Sequence, residues 1–166
     1  MQHDRPAHDT LWELIKNIKF GMFIHHNAQG VMHGHPLTTQ NRSVDENNTL
    51  YFFIQRDSEI AIAIATQPQV CVTYTDPGSD SYVSVSGEAG IEDNLAKKEE
   101  LFTDMAKAWF PAGPTDPNLA LLVVRLRQAQ YWKTDAGKMV QLFKIVKAAV
   151  TGGAPPDLGH HKEIRL

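Results

Sequence analysis

The sequence predicts a mainly β fold: a closed or nearly closed antiparallel barrel of six strands, with helices at its periphery. Three observations lead there. Six short apolar or alternating segments are separated mostly by turn residues. Helical periodicity appears at the start, middle and end, and never alternates with strands as a βαβ chain requires. Gly87 and Gly90 inside the fifth strand segment suggest a bulge or sharp bend, as barrel corners need.

Thr10 and Glu13 have capping-box spacing, and Leu11, Leu14, Ile15 and Ile18 repeat at helical intervals, so a first helix is expected over roughly 10–18. Phe20, Met22 and Ile24 alternate with their neighbours as a first strand. Asn27-Ala28-Gln29-Gly30 then turns the chain. Strand two runs from about Val31 to Thr39, and its Pro36 cannot donate to a ladder, so that position faces an edge or a ligand.

A polar loop over 41–49 leads to the apolar third strand, Leu50 to Ile54. Asp57 or Ser58 caps a short helix carrying Ile60, Ala61 and Ile64, which Pro68 ends. Val70, Val72 and Tyr74 alternate as strand four, and Tyr82 to Ile91 form strand five. A helix is expected over Asp93–Ala108, with Leu101, Phe102, Met105 and Trp109 as its apolar stripe. A rigid Pro-rich loop, Pro111–Pro117, precedes a long sixth strand, Leu119 to Trp132. Met139, Leu142, Phe143, Val146 and Val150 form one face of a final amphipathic helix over Lys138–Val150.

The 166 residues, 42% hydrophobic and 21% charged, suit one domain over 1–151 with a mobile tail over 152–166. A net charge of −3 offers no basic footprint for nucleic acid. No stretch reaches the ~18 apolar residues of a membrane span, and Met1 to Asp9 lacks a signal-peptide core. Cys71 is the sole cysteine, which excludes an intrachain disulfide. A cytoplasmic address is expected.

Four constellations carry candidate chemistry. Gln55-Arg56-Asp57-Ser58 leads into a helix start, where free N–H groups, the guanidinium and the hydroxyl suit a phosphate. Asp57 and Glu59 favour the plainer reading of a self-capped helix. Gly34, Pro36 and Thr38 share one face of strand two and leave room for a flat ligand; an ordinary edge strand explains them equally. His33 and His35 share a face, and His25-His26 lies on the hairpin partner, so several imidazoles can converge on a metal such as zinc. No cysteine pair or carboxylate stands at matching spacing. A polar strand face is the simpler account, and no residue is assigned as a metal ligand. Trp109-Phe110-Pro111 and Tyr131-Trp132 suit stacking on a ring or, more often, core packing. No nucleophile elbow, dinucleotide fingerprint or Walker loop is present, so no catalytic residue is nominated.

Taken in order, these stretches resemble a known group. Leu11-Trp12-Glu13-Leu14-Ile15, His33-Gly34-His35-Pro36-Leu37-Thr38, Phe52-Phe53-Ile54-Gln55-Arg56-Asp57-Ser58, Tyr82-Val83-Ser84-Val85-Ser86-Gly87, Ala108-Trp109-Phe110-Pro111 and Tyr131-Trp132 look like bacterial general stress proteins of the pyridoxamine 5′-phosphate oxidase-like group. That resemblance implies an FMN-binding split barrel, a homodimer with FMN at each side of the interface, and a flavin-dependent oxidoreductase-like role. It places Leu37 and Thr38 beside the isoalloxazine ring, and Ile54, Gln55, Arg56 and Ser58 at the phosphate. Trp109 would approach from the partner subunit.

The chain departs from the group's pattern where the phosphate would sit. The arginine usual before the proline of strand two is His35, a common threonine is Ile54, and the lysine two after the serine is Ile60. Two lost charged hydrogen bonds, at about 1.5–3 kcal/mol each, predict FMN weakened roughly 10²- to 10⁴-fold. Arg56, the helix end and a protonated His35 are the groups available to compensate, and a contribution from His35 predicts weaker binding as pH rises past its pKa. The alternative is a split-barrel dimer with a degraded pocket, acting as a binding or scaffold module.

Overall fold

The structure, a computed structural model, describes residues 6–45, 47–134 and 160–166. Seven strands form one antiparallel sheet: β1 (Gly21–His26), β2 (Met32–Leu37), β3 (Thr49–Gln55), β4 (Gln69–Asp76), β5 (Ser81–Glu92), β6 (Leu119–Lys133) and β7 (His160–Arg165). Their order is β2-β1-β4-β5-β6-β3, with β7 paired to β6. Three helices flank it: α1 (Ala7–Ile15), α2 (Glu59–Ile64) and α3 (Leu95–Leu101). The mainly β, antiparallel expectation holds, and the sheet stays unclosed.

The two ends of this path, β2 and β3, nearly meet. Just past β2, Thr39 makes an isolated antiparallel bridge to Phe52, and the Gln40 N–H donates to the Tyr51 carbonyl at 2.8 Å. Asn41 extends the closure with its side chain, accepting from the Tyr51 N–H and donating to the Thr49 carbonyl, both at 2.8 Å. Away from this bridge no ladder joins β2 to β3, and the barrel is split.

The barrel interior is filled by inward residues of every central strand. Phe23 and Phe52 meet edge-to-face, 6.0 Å between ring centroids, and both are fully buried with Leu50, Val72, Leu122 and Val124. Each such side chain contributes about 1.5–3 kcal/mol through burial. The run Leu119 to Val124 is buried on both faces, which explains its unbroken apolar character. Ala120, Leu122 and Val124 face the main core, while Leu121 and Val123 pack beneath Leu101 of α3.

Two glycines have backbone reasons. Gly30 closes the β1–β2 turn at φ +75°. Gly87 sits where the β5–β6 register shifts, and a Cβ there would lie 2.1 Å from the Arg125 carbonyl oxygen. The shift skips Arg127, so the bulged strand is β6, opposite Gly87, where the sequence led to a bulge or bend in strand five.

Three expectations are corrected. The first helix starts at Ala7 after Pro6, so Thr10 lies inside it and no side chain caps it. The middle helix is short: Asn94 caps α3 through Lys97 N–H, and the chain turns extended at Phe102 before a 3-10 turn over Ala106–Ala108. Met105 and Trp109 are therefore exposed instead of forming a buried stripe. Among the described residues the strand count is seven, because residues His160–Arg165, assigned by sequence to a mobile tail, add β7 along β6 from Gln128 to Lys133. His161 stacks on Trp132 at 4.8 Å between centroids. The helix expected over Lys138–Val150 lies outside the described residues.

Candidate functional site

A cleft of about 350 Å³ opens at the split. His35, Pro36, Leu37 and Thr38 form one wall from β2, and Phe53, Ile54 and Gln55 form the other from β3. Ser58, Ile60, Trp109 and Phe110 complete it. Sequence positions far apart converge here because β2 and β3 are the two edges of the curled sheet. His35, Leu37, Thr38, Ile54, Gln55, Ser58 and Trp109, all singled out from the sequence, line this cleft. Phe20, Gln40 and Ala106 also line it and were not singled out. Gln40 had no usable signal, since its place depends on the Thr39 bridge beside it.

Arg56 is the exception. It is not among the lining residues. Its guanidinium donates to the carbonyls of Pro117 (3.1 Å) and Leu119 (3.0 Å), tying β3 to the start of β6. The same guanidinium also lies 4.0 Å from the Asp93 carboxylate. Ser58 is likewise engaged: as N-cap of α2, its Oγ accepts from the Ala61 N–H at 3.3 Å. Ile60, standing where a lysine was expected, is buried in the main core. Among the described residues lining the cleft there is no lysine or arginine.

His35 is the titratable group in that lining. Burial, then the neighbouring His25, lower its pKa below the ordinary histidine value; Glu59 pulls the other way, and His33 adds to the lowering. That environment disfavours the protonated imidazole expected to compensate for the missing arginine.

Behind His35 lies a polar cluster. The Nε2 atoms of His25 and His35 are 3.0 Å apart. The Glu59 carboxylate reaches His35 Nε2 at 3.5 Å and His33 Nδ1 at 2.8 Å. Asn27 Nδ2 donates to His33 Nε2 at 3.3 Å. His25 is buried, and its Nδ1 lies 3.0 Å from the His26 carbonyl oxygen. The β1–β2 register sets His25 directly opposite His33, with His35 on the diagonal. The carboxylate that sequence spacing did not supply comes from the first residue of α2, 26 residues beyond His33. His26 makes no side-chain contribution to the cluster.

The sequence matches the family model of pyridoxamine 5′-phosphate oxidase-like proteins over residues 6–157. The chain belongs to this family. Solved structures agree on the fold. A candidate general stress protein 26 from Jannaschia sp. CCS1 aligns with TM-score 0.72 and 22% identity, covering 93% of this chain and 95% of that one. General stress protein 26 from Bacillus anthracis str. Sterne gives 0.63 and 23%, covering 72% and 88%. The general stress FMN/FAD binding protein from Xanthomonas citri gives 0.65 and 24%, covering 79% and 91%. At these identities the likeness establishes the split-barrel fold. Among curated proteins, none matches the sequence significantly. No helix among the described residues is long and apolar enough to cross a membrane.

For a flavin, the cofactor in the name of one of these relatives, the cleft fits in one region and not in another. Leu37, Ile54, Phe110 and the exposed Trp109 offer a slot of apolar and aromatic surface suited to a flat ring. Gln55 and Ser58, at the end of that slot, are neutral. A phosphate there would find hydrogen-bonding groups but no described cationic partner.

Proposed function

We propose that this protein is a cytoplasmic homodimer that binds a flavin, FMN in the first instance, in the β2–β3 cleft and works as a flavin-dependent oxidoreductase. One observation carries the reading: the split in the barrel gathers Leu37 and Thr38, Ile54 and Gln55, Ser58 and Trp109 around one flat, mostly apolar slot. When bound, the flavin supplies the electron-transfer chemistry. The chain's own residues bind and orient. Leu37 from β2 and Ile54 from β3 would hold the ring. Thr38, Gln55 and Ser58 provide polar contacts around the slot, and Trp109, 74% exposed, borders it with its ring available for stacking. No residue is assigned a catalytic proton transfer.

A second reading, a split-barrel binding module without flavin turnover, is favoured by the cation-poor lining and by Arg56 being committed to Pro117 and Leu119.

Titration of the purified protein with FMN, followed by quenching of flavin fluorescence, separates the two. Saturable uptake in the micromolar range is expected. A flat titration up to roughly 100 µM, weaker than about −5.5 kcal/mol of binding, removes the first reading in favour of the second.

A further inference from the structure

We propose that His25, His35 and Glu59 form a binding site for a divalent transition metal, with zinc the best match, at the edge of the cleft. The proposal stands independently of the flavin reading. One ligand atom from each residue lies within 4.8 Å of the others. The two closest, His25 Nε2 and His35 Nε2, are 3.0 Å apart, and Glu59 Oε2 is 3.5 Å from His35 Nε2. A tetrahedral ion with bonds of about 2.0–2.1 Å needs its ligand atoms about 3.3 Å apart. These two separations bracket that distance, so small ring rotations would admit the ion.

Proton placement supports the same site. A carbonyl only accepts, so His25 Nδ1 carries the proton that is donated to the His26 oxygen. The buried His25 Nε2 then presents a lone pair to the cluster. That is the second partner a metal-bound histidine ordinarily has, fixing tautomer and ring direction. Toward His25, His35 is the donor through Nε2–H. His35 need only move this proton to its Nδ1 to become a ligand. His33 Nδ1–H donates to Glu59 Oε1, and Asn27 in turn donates to His33 Nε2. His33 and Asn27 are thus positioning residues for the carboxylate, leaving Oε2 turned toward His35.

The donor set selects the ion. Two imidazoles and one carboxylate suit zinc and its neighbours, whereas magnesium and calcium prefer all-oxygen shells. Three protein ligands leave a fourth position open. Since His35 also lines the cleft, that position takes water or an anionic oxygen entering there. The ion would supply positive charge to a cleft whose described lining has no lysine or arginine.

The test uses untagged, chelator-stripped protein titrated with Zn²⁺ against a chromophoric chelator, and with Co²⁺ followed by its visible d–d absorption. A single ion per chain and an intense cobalt band typical of low coordination number are expected. His25 is buried, so the deciding variants are at the half-exposed Glu59 and at His35. Glu59→Gln and His35→Asn should each weaken zinc by at least about tenfold and abolish the band, and His33→Ala should weaken it about 10- to 100-fold through lost positioning. A His160→Ala/His161→Ala double variant should bind as wild type. Circular dichroism establishes that each variant is folded. No uptake up to roughly 100 µM metal, or uptake untouched by Glu59→Gln and His35→Asn, overturns the proposal and leaves a hydrogen-bonded polar strand face. The same stripped protein titrated with FMN reports on the flavin reading alone, so the two can fail separately.

Discussion

Replacing His35 by arginine and Ile60 by lysine would return two cations to the cleft, and the structure says how much each should gain. Hydrogen bonds to charged groups contribute about 1.5–3 kcal/mol each, so two could strengthen FMN by roughly 10²- to 10⁴-fold at about 1.4 kcal/mol per tenfold. The surroundings reduce the upper figure. A guanidinium at position 35 stands beside the Glu59 carboxylate, 3.5 Å from the present Nε2, which competes with any phosphate. Position 60 lines the cleft. Ile60→Lys alone should therefore gain about 10- to 100-fold, and the double variant about 10²- to 10³-fold. Stability should fall, because Ile60 is 4% exposed and its replacement sends an ammonium along a buried stem. A loss of roughly 1–3 kcal/mol lowers the melting temperature by roughly 2–12 °C in a protein of this size. The assay is fluorescence quenching with FMN and, in parallel, riboflavin, in chelator-treated buffer. The gain must be confined to FMN, since riboflavin has no phosphate. A double variant that gains less than about threefold, or that tightens riboflavin equally, refutes the placement of the phosphate beside positions 35 and 60.

Two further outcomes follow from the same structure. Trp109→Ala should leave stability within about 0.5 kcal/mol, because the side chain is exposed, while weakening flavin by roughly 3- to 10-fold through lost stacking. Thermal melts and flavin titration on one preparation check both, and a large loss of stability without loss of binding would contradict the stacking role. Tyr74 is buried and hydrogen-bonded to Thr39 at 2.5 Å. Burial raises its pKa far above the ordinary value, the Thr39 bond opposing slightly. Its folded-state pKa exceeds the unfolded one, so the unfolded chain ionises first. The stability it provides is complete below about pH 10 and declines above it by about 1.4 kcal/mol per pH unit. Tyr74→Phe should cost about 0.5–1.5 kcal/mol at pH 7 and lose that alkaline slope. Urea unfolding at neutral and alkaline pH measures the difference, which must shrink as pH rises.

Local signals carried most of the architecture. The alternation of Val70, Val72 and Tyr74 reports one buried face within a single strand, and β4 follows it. Ser58 before Glu59 and Ile60 marks a helix start, and Ser58 caps α2 as its chemistry dictates. The middle helix was over-extended because Phe102, Met105 and Trp109 keep helical spacing by coincidence. Phe102 instead turns its ring to Phe53, 6.0 Å away, and the helix ends there. β7 was invisible because His160–Arg165 lack a strand's apolar alternation; Ile164 alone among the described side chains of that strand is buried.

The sequence by itself thus determined six of the seven described strands and the turns between them, since periodicity, capping and turn chemistry act over a few neighbouring residues. Only the tertiary structure decided what their residues face. Curling the sheet until Thr39 meets Phe52 aligns the β2 and β3 edges into a cleft. The same curl carries Glu59 to His33 and His35, and takes Arg56 to the carbonyls of Pro117 and Leu119. Such meetings depend on how distant strands register against one another, and no local pattern encodes that.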